Sequence, residues 1–261
     1  MSQNSEDLKV ALVTGALGHL GKVICRSLSK NKYTVIATDM LPMKPENEKF
    51  IKALGNGSVY IHSDLASDKD RIKLIREAEN TFSKLDLLIN NAAYTSSSNL
   101  TEWNVPFSKQ STQSWRDSLE VNLIAPFHLT QLCQNFLEKS ERASVINIGS
   151  IYGVAAPKNS IYDGTNMNNI AAYAAGKAGL HQLTKWLAVT LAPNIKVNAI
   201  SLGGIERDNQ EQSFIENYRK MTPLNRMARE EDIIGALNLF TGNDADYITG
   251  QNILIDGGWS L

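Results

Sequence analysis

Tyr173 and Lys177 stand four residues apart in the run Tyr-Ala-Ala-Gly-Lys. On a helix, positions i and i+4 share a face, so this spacing sets a phenol beside a cation. A free phenol has a pKa of about 10 and is a poor base at neutral pH, but a nearby ammonium favours the phenolate. Lowering that pKa by about 3 units takes roughly 4 kcal/mol of differential interaction. A lysine and a second positive charge in a partly dry site can supply it, and the pair then exchanges protons at neutral pH. The same spacing also arises on ordinary exposed helices, so the rest of the chain decides.

Upstream, the apolar run Val10–Thr14 leads into Thr14-Gly15-Ala16-Leu17-Gly18-His19-Leu20-Gly21. Glycines directly after a first strand allow a tight turn and close approach of phosphate to backbone. The helix that follows favours anionic charge at its N-terminus. Gly15, Gly18, His19 and Leu20 are thus candidate cofactor contacts, with His19 either rimming the phosphates or standing in solvent. Asp39 ends the second strand, 24 residues after Gly15. A carboxylate there accepts hydrogen bonds from a ribose 2′-hydroxyl and repels a 2′-phosphate, which selects NAD; alternatively it starts a turn. Asp64, with Leu65, closes the third strand and either reaches the adenine or caps a helix.

These residues need a scaffold. Short apolar runs at Val10–Thr14, Thr34–Asp39, Val59–Ser63, Leu85–Asn90, Ser144–Ser150, Ile195–Ser201 and Asn252–Asp256 predict buried strands. Helical patterns lie between them at 20–30, 67–83, 114–138 and 171–191, with pieces in 211–221 and 230–241. Alternating strands and helices predict an α/β fold: a doubly wound parallel sheet with helices on both faces, whose ligands bind beyond the carboxyl ends of the strands. Three polar loops, 94–111, 151–170 and 203–229, each follow a strand and are expected on that side.

Residues 1–261 read as one domain, large enough to need no disulfide or metal staple. With 26 basic and 27 acidic residues, the chain has no charge excess to hold nucleic acid or an anionic membrane. Cys25 and Cys133 fall in apolar helical patterns and read as core thiols of a reducing compartment. The N-terminus is polar, and no apolar run reaches the ~20 residues of a membrane span. The chain is therefore expected in the cytoplasm, with no metal site.

Taken together, the motifs resemble the short-chain dehydrogenases/reductases over essentially the whole chain. The matching segments are Thr14–Gly21, Asp64-Leu65, Asn90-Asn91-Ala92-Ala93, Val121-Asn122, Ile148-Gly149-Ser150, Tyr173–Lys177, Val197–Ser201 and Asp256-Gly257-Gly258. The resemblance implies a single Rossmann-type domain with seven strands in order 3-2-1-4-5-6-7, a nicotinamide cofactor and a catalytic set, here Asn122, Ser150, Tyr173 and Lys177. By that likeness Tyr173 exchanges the proton with the substrate oxygen as hydride moves. Lys177 lowers its pKa and holds the nicotinamide ribose. Ser150 donates to the reacting oxygen, and Asn122 anchors a water. Asn91, Ala92 and the Ile205 backbone would line the nicotinamide side. A homotetramer or homodimer is also implied, and the apolar residues on several faces of 114–138 and 171–191 agree with it.

The chain departs from the family pattern at His19, Ala93, Leu202 and Arg207, and in the 23-residue interval from Ser150 to Tyr173, which is longer than usual. The extra residues are polar. They resemble a narrower group, the flagellin-modification and surface-polysaccharide dehydrogenases of bacteria. The expected reaction is therefore NAD(H)-dependent hydride transfer at a hydroxyl or carbonyl of a small, polar, sugar-derived molecule. Lys158, Tyr162 and Asn166 are the candidate substrate contacts. A 3-oxoacyl reductase, a generic alcohol dehydrogenase and a non-catalytic dinucleotide-binding regulator are the alternatives.

Overall fold

Strands that are apolar on both faces must be covered on both faces. In β1 (Lys9–Thr14), Ala11 and Val13 face one layer of helices, whereas Val10 and Leu12 face the other. The same alternation runs through β2 (Tyr33–Asp39), β4 (Leu87–Asn90), β5 (Ala143–Ser150) and β6 (Ile195–Leu202). With β3 (Val59–His62) and β7 (Asn252–Ile255) they form one seven-stranded parallel sheet in the order β3-β2-β1-β4-β5-β6-β7. These features come from a computed structural model that describes residues 8–261; the polar segment 1–7 lies outside the described residues.

One face carries α1 (His19–Lys30), α2 (Pro45–Leu54) and α8 (Ile234–Thr241), through Ile24, Leu28, Phe50, Leu237 and Phe240. The other carries α3 (Asp68–Thr81), α5 (Ala125–Leu137) and α6 (Ala171–Leu191), through Leu74, Leu129, Phe136 and Leu187. Two further helices are α4 (Thr112–Leu119), which follows the 94–111 loop, and α7 (Gln212–Lys220), which lies within the 203–229 loop. Among the described residues no helix is long and apolar enough to cross a membrane.

Two elements differ from the sequence pattern. Helix α2 was not among the expected helices. Pro45 at its start, Glu46 and Glu48 in its first turn and Gly55 just past its end, at φ +64°, are the signals that mark it. The expected helix 114–138 is three pieces: α4, a wider π turn at Glu120–Ile124, and α5. Pro126 has no N–H, so the carbonyl four residues earlier, that of Asn122, cannot receive its usual helical hydrogen bond.

Chain order reverses direction between β1 and β4, which opens a crevice over their carboxyl ends. The three long loops rise from the same ends of β4, β5 and β6.

Candidate active site

Over β1 the chain turns sharply. Gly15 has φ +62°, and a Cβ there would lie 2.9 Å from Ala92 Cα. A Cβ on Gly21 would lie 2.1 Å from the Gly15 carbonyl oxygen. Only glycine fits at these two points, and the backbone N-terminal to α1 is left open to a ligand. Gly18 caps α1 with extended backbone, His19 is exposed in the first turn, and Leu20 packs on the core below. The Thr14 hydroxyl accepts from the N–H groups of Asn91 (2.9 Å) and Ala92 (3.0 Å), and Asn91 Nδ2 donates to the Thr14 carbonyl (2.8 Å). The glycine turn and the 91–92 segment are thus one rigid wall.

Asp39 is half-buried beside this turn. Its Oδ2 accepts from Leu17 N–H at 3.0 Å and its Oδ1 from Leu41 N–H at 3.1 Å. Each oxygen keeps a further lone pair for a ribose hydroxyl. Asp64 Oδ1 accepts from Ala66 N–H at 3.0 Å, whereas Ser67 caps α3, so Asp64 is not the helix cap. The buried Arg71 ties this corner to the π turn: it donates to the Leu65 carbonyl and bonds Asp68, Glu120 and His128. The glycine cradle, the carboxylate and the helix N-terminus together suit a dinucleotide.

Asn122, Ser150, Tyr173 and Lys177 converge at the ends of β4 and β5. Ser150 is the last residue of β5 and is 6% exposed. The turn after it presses on α6, where a Cβ on Gly153 would lie 2.7 Å from the Lys177 carbonyl oxygen. The Tyr173 ring packs with Tyr94 and Trp115 against Trp103 and Ile170, and its hydroxyl bonds Ser150. Lys177 is 3% exposed, and its Nζ donates to the Ile148 carbonyl at 2.7 Å. The Asn122 side chain clamps the backbone of one residue: Tyr94 N–H donates to its Oδ1 (2.7 Å), and its Nδ2 donates to the Tyr94 carbonyl (3.0 Å).

Without cofactor, the electrostatics of the site are set by burial. Burial pushes the Tyr173 phenol above its ordinary pKa, the Ser150 hydrogen bond works the other way, and Tyr162 adds to the rise. The Lys177 ammonium, 5.8 Å from the ring centroid, does not offset this. Burial moves Lys177 itself down to about 8. In the chain alone Tyr173 is therefore a protonated acid, and Lys177 a cation held at a cost.

The insert between Ser150 and Tyr173 is stitched to both flanking loops. Asn104 Oδ1 accepts from Asn168 N–H (2.8 Å), Gln110 Nε2 donates to the Asn169 carbonyl (2.7 Å), and Glu211 Oε1 accepts from Asn166 N–H (2.9 Å). Its apolar side chains form a small second core. Ile161 is fully buried with Phe214, Tyr218, Met227 and Trp259. Of the three residues expected to contact substrate, Lys158 is engaged elsewhere: its Nζ donates to the Trp259 carbonyl (3.1 Å) and sits 4.8 Å over the Trp259 ring. Asn166 is exposed at the rim. Tyr162 points inward, its hydroxyl 2.8 Å from that of Tyr152. Tyr152, two residues after Ser150, was not among the expected substrate contacts. Ile205 lies where the next loop is strapped down, since Ala228 N–H donates to the Gly204 carbonyl and Glu206 N–H to the Ala228 carbonyl, both at 2.9 Å. Arg207 pairs with Glu230.

Comparison with known proteins agrees with this geometry. A family model described as enoyl-(acyl carrier protein) reductase matches residues 15–260. The post-translational flagellin modification protein A of Campylobacter coli is 32% identical over 97% of this chain and 98% of its own length. The 3-oxoacyl-[acyl-carrier-protein] reductase of Thermotoga maritima is 30% identical over 96% of this chain and 97% of its own. A crystal structure of a short chain dehydrogenase from Leptospira borgpetersenii with bound NAD+ superposes with a TM-score of 0.84 at 31% identity, covering 100% of this chain and 97% of that one. The chain belongs to the short-chain dehydrogenase/reductase family and is an oxidoreductase of that family. Within it, its likeness is to the flagellin-modification group.

Proposed function

We propose that the protein transfers hydride between NAD(H) and a hydroxyl or carbonyl carbon of a small, polar, sugar-derived molecule that serves flagellin or surface-glycan modification. The observation that carries the NAD preference is Asp39: a carboxylate fixed by two backbone N–H groups beside the glycine turn, followed by Met40, Leu41, Pro42 and Met43 with no cation among them. The similarity to a flagellin modification protein and to an NAD+-bound dehydrogenase supports the same reading.

When bound, the cofactor supplies the hydride acceptor or donor. Gly15, Gly18, His19 and Leu20 would border its phosphates, Asp39 its adenosine ribose, and Asp64 and Leu65 its adenine. Asn91, Ala92 and Ile205 would border the nicotinamide. Ser150 holds the substrate oxygen by a hydrogen bond, and Tyr173 gives that oxygen its proton in reduction. The raised pKa of Tyr173 suits the acid role directly. Working as a base in oxidation, Tyr173 needs the positive charge of Lys177 and of the oxidised ring nearby. The Asn122 carbonyl, released from the helical ladder by Pro126, can hold a water that carries the proton onward.

The assembly is a homotetramer or homodimer. Of the apolar residues on the two long helical segments, Leu129, Phe136, Leu180 and Leu187 are buried in the chain itself. Phe127, Trp186 and Val189 remain exposed and suit a helix pair across a two-fold axis.

The 3-oxoacyl reductase reading is the second one, favoured by the similarity to the Thermotoga maritima enzyme. Against it, Ile161 and Trp259 are fully buried in the small second core rather than lining an open groove. A rate panel separates the two. The account expects keto-sugars with NADH to be reduced faster than acetoacetyl thioesters with either cofactor. The reverse order overturns it.

A further inference from the structure

The hydroxyls of Tyr152 and Tyr162 meet at 2.8 Å, and no other hydrogen bond is made by either among the described residues. Two phenols carry two protons and share one hydrogen bond. One proton and several lone pairs are therefore left to offer. Both residues are half-buried rather than sealed in the core. The rings themselves are wedged. Tyr152 lies 5.9 Å from Trp259, tilted by 58°, and Tyr162 stacks on Phe214 at 5.9 Å and 27°. The hydroxyls are thus held in place before any ligand arrives.

Their position is next to the reacting centre. Tyr152 follows Ser150 by two residues, and its N–H donates to the Ser150 hydroxyl at 3.2 Å. Tyr162 comes from the insert and is tied to Tyr152, and so to the residues just after Ser150, by the hydroxyl contact. A molecule whose reacting oxygen sits between Ser150 and Tyr173 presents its neighbouring carbon to this pair. An apolar carbon there leaves the free proton unmatched in a half-buried site. A hydroxyl satisfies it and donates back.

Resting on the hydride-transfer reading above, we propose that the Tyr152–Tyr162 pair recognises a second hydroxyl on the carbon adjacent to the reacting one. The preferred substrates are then vicinal diols and α-hydroxy carbonyl compounds, not isolated alcohols or ketones. The pair is a specificity element and takes no part in the proton transfer itself.

The test measures kcat and KM for oxidation of 2,3-butanediol and of 2-butanol with NAD, in the whole protein and in Tyr152→Phe and Tyr162→Phe. The two alcohols differ in one hydroxyl. Loss of one hydrogen bond at a half-buried site predicts that the ratio of kcat/KM for the diol to that for 2-butanol falls by about tenfold in each variant, mainly through KM. A ratio unchanged within about twofold in both variants overturns the proposal, as does an absence of turnover on the diol in the unaltered protein. Reduction of an acetoacetyl thioester is measured alongside. If it outruns every keto-sugar while the diol ratio still falls in the variants, the sugar reading fails and the pair's role stands. If keto-sugars are preferred but the ratio does not move, the pair's role fails and the sugar reading stands.

Discussion

Removing the buried charge of Lys177 should change stability in a pH-dependent way. Lys177 is 3% exposed, its ammonium donates to the Ile148 carbonyl, and its pKa falls from 10.5 to about 8 through burial. A fall of that size corresponds to about 3 kcal/mol by which the folded chain disfavours the ammonium at neutral pH. The direction follows from proton counting. Between pH 8 and 10.5 the unfolded chain keeps the proton and the folded chain releases it, so stability rises with pH in that window. The same stability is lost as pH falls through about 8. Lys177→Met removes this dependence. At pH 7 the variant avoids the burial cost but forfeits a charged hydrogen bond worth about 1.5–3 kcal/mol, so its absolute stability changes little. At pH 10 the unaltered chain has recovered most of its deficit. The difference between the two chains should therefore shift by about 2–3 kcal/mol between pH 7 and pH 10, against the variant. Urea midpoints of both chains, measured across this range without cofactor, read the shift directly, because the other titrating groups are common to both. A difference that stays constant from pH 7 to pH 10 would refute the burial argument for Lys177.

Replacing Asp39 by Asn removes the charge and keeps one acceptor, so the NAD over NADP preference should narrow by at least about tenfold in fluorescence titration; an unchanged ratio would remove Asp39 as the selector. Light scattering at micromolar concentration should give a dimer or tetramer mass, and Trp186→Glu should lower it; a monomeric mass for the unaltered chain would contradict the assembly drawn from Phe127, Trp186 and Val189.

The sheet was legible because a parallel strand must be apolar on both faces, and runs such as Leu12-Val13 and Val145-Ile146 are. The glycine turn was legible because the steric demand at Gly15 and Gly21 admits no other residue. Helix α2 was missed because it is short and buries only Asn47, Phe50, Ile51 and Leu54. The π turn was missed because apolar periodicity runs through it, although Pro126 breaks the ladder at the Asn122 carbonyl. At the site, spacing identified Tyr173 and Lys177 as neighbours but carried no information on burial. In the chain alone, burial raises the Tyr173 pKa, an effect that spacing does not show. The insert's polarity was visible, whereas the tertiary partners that decide what its side chains do were not. Lys158 is drawn to the C-terminal Trp259, 101 positions away.

The central claim, that Tyr173 gives and takes the proton of a nicotinamide-dependent reaction, is tested most directly by Tyr173→Phe. The measurement pairs NADH titration with turnover on the best substrate of the rate panel. The account predicts a loss of at least about 100-fold in turnover with cofactor affinity within a few-fold, because only the hydroxyl is removed. A variant that keeps more than about a tenth of the activity would contradict it.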